Sequence, residues 1–553
     1  MGVDSIKEFC WKYKYLLIFG GVLLVYFLNL FVDIMEVDAA QYSIISMEMS
    51  STKSFLHVYE YGKDYLDKPP LLFWLNSLSF MAFGLSNFAY KLPSVLVALL
   101  GLYSTYRFAN IFYSKKVSIF SAIILGTSQA LFLITNDVRT DTLLIGFTMF
   151  SVWQMAAYIR TKSYKHLLLT SLGIALAMMA KGPLVLIILA AGFGTHFLMH
   201  KEWKNIFKIQ WILLLTLVGV WLIPMCYGLY TQFDLHPEKE AYGLQGPSGI
   251  RFFFWTQSFG RITGESSWAD DSSYFYFTHS ILWDFQPWIF FFIPALFKKI
   301  RNTFLTVIGK ISANGEYITL GTFVFVFIAL SMSRYKLPHY IFGLFPFAAV
   351  ITANSIFKIK EKYINRISAI QFGVEHIFWV AILIIFTFVF SDISILLIIV
   401  LSLIYIAFFM SFKLLKDKHE RILIPTVITA IAFNLMMASH FYPNILSYQG
   451  SSQVGKYALQ KKLNLRSFNT HGHSLHFYAR EFIPYISVRE LIEAKEGEFV
   501  YTNEKGYQEI KTHRNVKIKR VFPSHRAAII TLPFLMKNTR KERLNNEYIL
   551  ELK

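Results

Sequence analysis

Residues 393–412 read ISILLIIVLSLIYIAFFMSF, a run without a single charge, and Lys413, Lys416 and Lys418 follow at once. A helix of about 20 such residues crosses the roughly 30 Å hydrocarbon layer of a bilayer. Working outward, comparable apolar runs lie near 15–33, 88–106, 117–135, 142–159, 166–180, 183–200, 209–229, 283–297, 316–333, 338–356, 373–390 and 422–440. Of the 553 residues, 55% are hydrophobic and only 16% charged, far more apolar than a soluble core requires. The sequence predicts a polytopic α-helical membrane protein with about thirteen transmembrane helices.

The basic residues set its direction. Alternate loops carry Arg107, Lys115 and Lys116, then Arg160, Lys162 and Lys165, then Lys201, Lys204 and Lys208, then Lys298, Lys299 and Arg301. The same parity continues with Lys358, Lys360, Lys362 and Arg366, and with Lys413, Lys416, Lys418 and Arg421. By the positive-inside rule these loops and the N-terminus are cytoplasmic, and an odd span count sends the C-terminus to the other side. The net charge of +19 therefore reflects topology, and no nucleic-acid partner is expected. Lys7, Lys12 and Lys14 precede the apolar stretch Tyr15 to Val32, which is too long for a secretory h-region and reads as a retained first span. Cys10 and Cys226 should fall near opposite faces, so no disulfide is expected.

Two opposite-face loops, 34–87 and 230–282, are too long for turns and too aromatic for solvated linkers. Arg251-Phe-Phe-Phe-Trp255, Tyr274-Phe-Tyr276, Trp283 and Trp288 suggest helices lying in the membrane interface, serving either as aromatic anchors or as a substrate lining. Residues 1–442 form the transmembrane domain, and polar residues 443–553 form a small extracytoplasmic α/β domain. In the latter, strands are expected at 498–502 and 527–531 and helices at 453–463 and 487–496.

Ionisable residues at the membrane are expensive, so those on the outer face are site candidates. Asp38, in Val37-Asp-Ala-Ala-Gln-Tyr42, is either a general base or a helix N-cap. Leu66-Asp67-Lys68-Pro69-Pro70 places Lys68 at a helix entrance, where its ammonium and free backbone N–H groups suit a phosphate; a snorkelling lysine is the plainer reading. Asn136-Asp137-Val138-Arg139-Thr140-Asp141 fills a tight loop as either an internal ion network or a clamp for sugar hydroxyls. Lys181-Gly-Pro183 and Ser333-Arg-Tyr-Lys336-Leu-Pro-His339-Tyr340 fill two more loops, and Arg261 lies in the long aromatic one. Basic residues in five outer loops, with Asp38, Asp137 and Asp141 on the same side, favour an anionic, phosphorylated lipid substrate beside an acid/base group.

These residues carry a resemblance. Asp38 with Tyr42, Asp67-Lys-Pro-Pro-Leu71 with Trp74 and Asn76, Lys91-Leu-Pro-Ser94 as a turn, and Lys181-Gly-Pro183 resemble the C-type glycosyltransferases of the aminoarabinose transferase and protein O-mannosyltransferase superfamily. The resemblance runs in order through the transmembrane part and implies a GT-C-like fold in a bacterial inner membrane, with the C-terminal domain in the periplasm. It implies transfer of a sugar from a polyprenyl-phosphate carrier to lipid A, another glycan or a protein. It assigns Asp38 the catalytic acidic role and Lys68, Arg261 and Tyr340 the carrier phosphate. Tyr42, Asp67, Asp137, Arg139, Asp141, Lys181, Lys336 and His339 remain for the sugar or acceptor. The superfamily's Asp-Glu-x-Arg-Tyr pattern is broken by Ala39 and Gln41.

Together these readings predict a single inverting, metal-independent displacement without a cofactor: no Walker-type loop or Rossmann glycine pattern is present to bind a nucleotide, and no metal is indicated. A lipid-carrier transporter or flippase is the rival, less favoured because the charges gather at one face rather than at mid-membrane. His471, His473 and His476 are close enough to suggest zinc but lack a clear fourth ligand, and a polar surface loop is the preferred reading.

Overall fold

The computed structural model describes residues 3–553 apart from 242, 258–259, 261–271, 391–392 and 528. Helix α1 (Val3–Asn29) leads into α2 (Asp38–Thr52), a short hairpin of β1 (Tyr59–Glu60) and β2 (Lys63–Asp64), and α3 (Leu71–Phe83). Lys53 closes α2 in the left-handed region, Pro70 caps the start of α3, and Gly84 ends α3 at a φ of 76°. Helix α4 (Asn87–Phe112) begins where the Ser86 hydroxyl accepts the Ala89 N–H, and α5 (Lys115–Gly126) begins where Ser114 accepts that of Val117. Helices α5 and α6 (Gln129–Asn136) meet at a 50° bend. There the Thr127 and Ser128 hydroxyls bond back to the carbonyls of Ile123 and Leu125, an arrangement that bends helices. α7 (Thr140–Thr161), α8 (Tyr164–Lys181) and α9 (Leu184–Met199) follow. Further apolar helices occupy Gln210–Leu229, Ile289–Val307, Ile318–Ser331, Phe345–Ile356, Glu361–Phe388, Ile395–Leu414 and Glu420–Met436.

Helical segments thus lie on the expected apolar runs, but the count of about thirteen spans is not reached on length and composition. Seven described helices are long and apolar enough to cross a membrane, or eight if the bent α5–α6 pair is one span. Helix α9 has 16 residues and Ile318–Ser331 only 14, so the latter rises about 21 Å, short of the hydrocarbon thickness. The Lys91-Leu-Pro-Ser94 segment is not a turn: it lies inside α4, with Lys91 fully buried. In the second long loop the described helical segments are short: Tyr230–Asp234, Gly249–Arg251 continuing through Phe252–Thr256, and Tyr276–Asp284.

A second short hairpin joins β3 (Glu240–Ala241) and β4 (Leu244–Gln245), and toward the C-terminus four strands form one sheet in the order β5 (Leu465–Ser467), β6 (Phe499–Asn503), β8 (Asn545–Leu552), β7 (Val516–Ser524). β5 and β6 are parallel, and β8 runs antiparallel to both its neighbours. The run at 498–502 forms β6, and the helical stretches appear at Gly450–Lys461 and Val488–Glu493. No described residue of 527–531 is in a strand; Ile529 and Ile530 are about half exposed there, with no sheet partner to reward their β propensity. The edge is instead β7, whose Lys517, Lys519 and Arg520 suit an unpaired side. The helix His473–Ala479 packs on α2, while Ile34 N–H donates to the Tyr478 hydroxyl at 2.8 Å and Glu36 N–H to Gln449 Oε1 at 2.9 Å.

Helices α4 and α7 approach through glycine. A Cβ on Gly146 would stand 2.3 Å from the Val97 carbonyl oxygen, and one on Gly101 would stand 3.2 Å from Gly146 Cα. Gly146→Val should therefore cost about 1–3 kcal/mol of stability through overpacking. In thermal unfolding of the detergent-purified protein its midpoint should fall, whereas Gly194→Ala, with nothing within 4 Å of the added Cβ, should match wild type. Equal midpoints for all three proteins would contradict this packing.

Candidate active site

The start of α2, the Pro pair before α3, the α6–α7 and α8–α9 turns and the segment entering Pro338–Leu344 converge on a cavity of about 160 Å³. Asp38, Tyr42, Lys68, Arg139, Lys181 and Tyr340 line it, with Asp141 and His339. These residues come from five separated stretches of chain, and each had been named as a site candidate, from its place in an outer loop or from the family resemblance.

Asp38 is the first residue of α2, yet the N-cap is Val37 and no side chain caps the helix. The capping role is therefore excluded. Asp38 Oδ2 instead accepts a hydrogen bond from Arg139 Nη1 at 2.7 Å. Arg139 Nε donates to Asp137 Oδ2 at 2.6 Å, so one guanidinium joins two carboxylates. Burial opposes its charge, but Asp137 and Asp38 outweigh that and hold Arg139 above its ordinary pKa. The Asp38 side chain is 41% exposed against 23% for Arg139, so the carboxylate keeps a face open to the cavity.

On the opposite wall Lys181 is paired with Asp141, and its Nζ lies 4.4 Å from the centre of the Tyr340 ring. His339 Nε2 is 3.8 Å from Asp141 Oδ2. Lys68 pairs with the adjacent Asp67, an arrangement that leaves it 20% exposed. Three cations, Lys68, Arg139 and Lys181, therefore line the cavity against two carboxylates, Asp38 and Asp141. The excess of one belongs to the lining alone: Asp67 and Asp137 pair with Lys68 and Arg139 from behind, so an anion binds there by taking Lys68 from Asp67.

Asp67 and Asp137 stand behind the lining, each holding one of its cations. Lys336 does not reach the cavity; its Nζ donates to the Ser272 carbonyl at 3.1 Å and lies 5.6 Å from the Tyr274 ring centre. Arg261 lies outside the described residues. The sequence departures also find places. Ala39 is 1% exposed, and Gln41 Nε2 donates to both Glu60 oxygens at 2.9 and 3.0 Å. Gln257, Thr140 and Ser333 join the lining without having been singled out as site candidates.

Two residues missed by sequence reasoning hold the site from behind. Tyr90, fully buried in α4, donates its hydroxyl to the Ala39 carbonyl at 2.5 Å. Its neighbour Lys91 donates to Asn136 Oδ1 at 3.2 Å, just before Asp137.

Asp141 and Lys68 should respond differently to substitution. Asp141→Ala removes the buried carboxylate that pairs with Lys181 and should cost about 3–5 kcal/mol. Lys68→Ala loses only a partly exposed pair, worth about 0–1 kcal/mol. Thermal unfolding checks the contrast: a midpoint for Asp141→Ala no lower than that for Lys68→Ala would contradict it.

Residues 67–227 match a family described as dolichyl-phosphate-mannose-protein mannosyltransferase. The chain is 25% identical over 66% of its length to the undecaprenyl phosphate-alpha-4-amino-4-deoxy-L-arabinose arabinosyl transferase 1 of Proteus mirabilis, and 25% identical over 58% to the corresponding protein of Edwardsiella ictaluri. It spans less than two thirds of those relatives, 63% and 55% of their lengths. An uncharacterized protein of Aquifex aeolicus is 26% identical, with 85% of this chain and 87% of that one covered. The crystal structure of ArnT from Cupriavidus metallidurans bound to undecaprenyl phosphate superposes with a TM-score of 0.73 over 97% of both chains at 15% identity, and its apo state with 0.72. By the matched segment, the relatives and the fold shared along nearly the whole chain, this protein is similar to ArnT and has its polytopic helical fold.

Proposed function

We propose that this protein transfers a sugar from a polyprenyl-phosphate carrier to an acceptor on the non-cytoplasmic face of a bacterial inner membrane. The observation that carries the reading is the cavity itself, where Asp38 stands beside an excess of cations. The relatives named for an undecaprenyl phosphate donor, and the ArnT structure holding undecaprenyl phosphate, support the same carrier chemistry. Lipid A, another envelope glycan or a protein would serve as acceptor. Residues 1–442 form the membrane-embedded transferase, and residues 443–553 form a periplasmic domain over its outer face.

The carrier phosphate is the leaving group. Lys68 meets it at the helix entrance, Tyr340 offers its hydroxyl, and Arg261 adds a second charge from the long loop. Lys181, held by Asp141, keeps the Tyr340 ring in place. As the acceptor hydroxyl or amine attacks the anomeric carbon, the bond from that carbon to the phosphate oxygen breaks and its electron pair leaves with the phosphate. The acceptor's proton passes to Asp38, whose orientation Arg139 fixes. One displacement inverts the anomeric centre. Fixed cations need no reorganisation as charge builds on the leaving oxygen, which is where such sites gain most.

Purified protein given a radiolabelled polyprenyl-phosphate sugar and envelope acceptors should transfer the label without a nucleotide sugar; no transfer to any acceptor would overturn the reading. Asp38→Asn should reduce transfer by about 10²–10⁴ while carrier binding persists, because Asn keeps the shape but cannot take the proton. Near-normal turnover would remove Asp38 from the base role. A reporter fused after Lys553 should be active outside the cytoplasm and one near Lys362 inside it; swapped results would place the site on the wrong face.

A further inference from the structure

A second cavity, of about 1310 Å³, is larger than the first. One wall is an end of the C-terminal sheet: Ser467, Asn503 and Ser524 are the last residues of β5, β6 and β7, and all three line it. The carboxyl edge of parallel strands is where open α/β sheets place ligands. The facing wall holds Glu36, Val37 and the hairpin turn Tyr61–Lys63. Val37 immediately precedes Asp38, which lines the smaller cavity, and the Asp38 charge acts on His473 in the wall of the larger one.

We infer that this cavity binds the carbohydrate part of the acceptor, and that it takes a neutral, unphosphorylated oligosaccharide. The inference rests on the transferase reading above and names the substrate class for it. Flat rings line the cavity where sugar C–H faces can stack: Tyr61, Phe482 and Tyr485 are 40%, 39% and 52% exposed. Imidazoles back them. His473 Nδ1 is 3.1 Å from the Tyr61 hydroxyl, and His471 stacks on Tyr485 with centroids 4.6 Å apart. Burial lowers the pKa of His473 and takes that of His476 to about 4, so both are neutral at pH 7 and act as donors and acceptors for hydroxyls.

Deeper in, Glu36 Oε1 accepts from Ser474 N–H at 2.7 Å and Glu547 Oε2 from the Tyr501 hydroxyl at 2.6 Å. Glu48 Oε1 accepts from Gly62 N–H at 2.9 Å, and its Oε2 is buried without a hydrogen-bond partner in the structure. With Glu504, four carboxylates line the cavity against Lys63, Lys505 and Arg526. The balance is the reverse of the smaller cavity's. A phosphorylated headgroup would meet four carboxylates against three cations, whereas a hydroxyl-rich glycan finds acceptors and aromatic planes. The volume exceeds the roughly 300–1,000 Å³ usual for small-ligand clefts, room for several sugar rings.

Saturation-transfer NMR on the full chain in nanodiscs, without donor, tests this with maltotriose and chitotriose as probes and inositol hexakisphosphate as a polyanionic competitor. At least one trisaccharide should receive saturation, the hexakisphosphate should not displace it, and Tyr485→Ala should weaken binding about fivefold or more. Phe482→Ala should do likewise, and both exposed positions should leave the melting temperature unchanged. No signal from either trisaccharide, displacement by hexakisphosphate, or undiminished binding by both variants would overturn the proposal. The assay involves no turnover, so its failure leaves the transferase reading standing; absent transfer with intact sugar binding would overturn that reading instead.

Discussion

The guanidinium of Arg139, shared between Asp38 and Asp137, ties the first turn of α2 to the loop between α6 and α7. Without that cation, two carboxylates would lie close together in a partly buried place, and like charges there cannot both remain ionised at low cost. Helix α4 fixes both ends of the arrangement from behind, through Tyr90 to Ala39 and Lys91 to Asn136. α4 can do so because it lies close against α7 at Gly101 and Gly146, where the missing Cβ atoms let Val97 and the backbones approach. Backbone contact in the membrane thus sets the geometry of charges at its surface.

The two cavities divide the chemistry by charge. Around the smaller one, cations exceed carboxylates and suit a phosphate leaving group; around the larger, carboxylates exceed cations and neutral imidazoles fill the gaps. Asp38 lines the smaller one and its charge acts on His473 of the larger, which is where a base shared by donor and acceptor must stand. Lys181 and Asp141 illustrate how such a site is kept stable: a buried cation is retained by a buried partner, while Lys68, more lightly held by its neighbour Asp67, can exchange that partner for a ligand.

Much of the site was legible because charges at the ends of apolar runs stand out locally. Asp38, Lys68, Arg139, Lys181 and Tyr340 each interrupt such a run, and the parity of the loops placed them on one side. Whether Asp38 caps a helix or faces a ligand was not legible, since the answer is a partner 101 residues away. Tyr90 and Lys91 were hidden for the opposite reason: Pro93 suggested a turn, yet α4 continues through it and buries both side chains. In the C-terminal sheet, the apolar run at 527–531 outranked β7 by composition. Strand formation followed the available partner β8 instead, and β7 is charged because it is an edge. The larger cavity left one linear trace, His471, His473 and His476; the rest of it is assembled from strand ends spread across residues 467–545 and a wall near residue 36.

The most direct test is an experimental structure of the protein with a polyprenyl phosphate bound. The proposed mechanism predicts the phosphate within ion-pair distance of Lys68 Nζ, in the cavity shared by Asp38 and Tyr340, with Asp38 still held by Arg139. Phosphate seated in the sheet-edge cavity, or a carrier bound with Lys68 still paired only to Asp67, would contradict it.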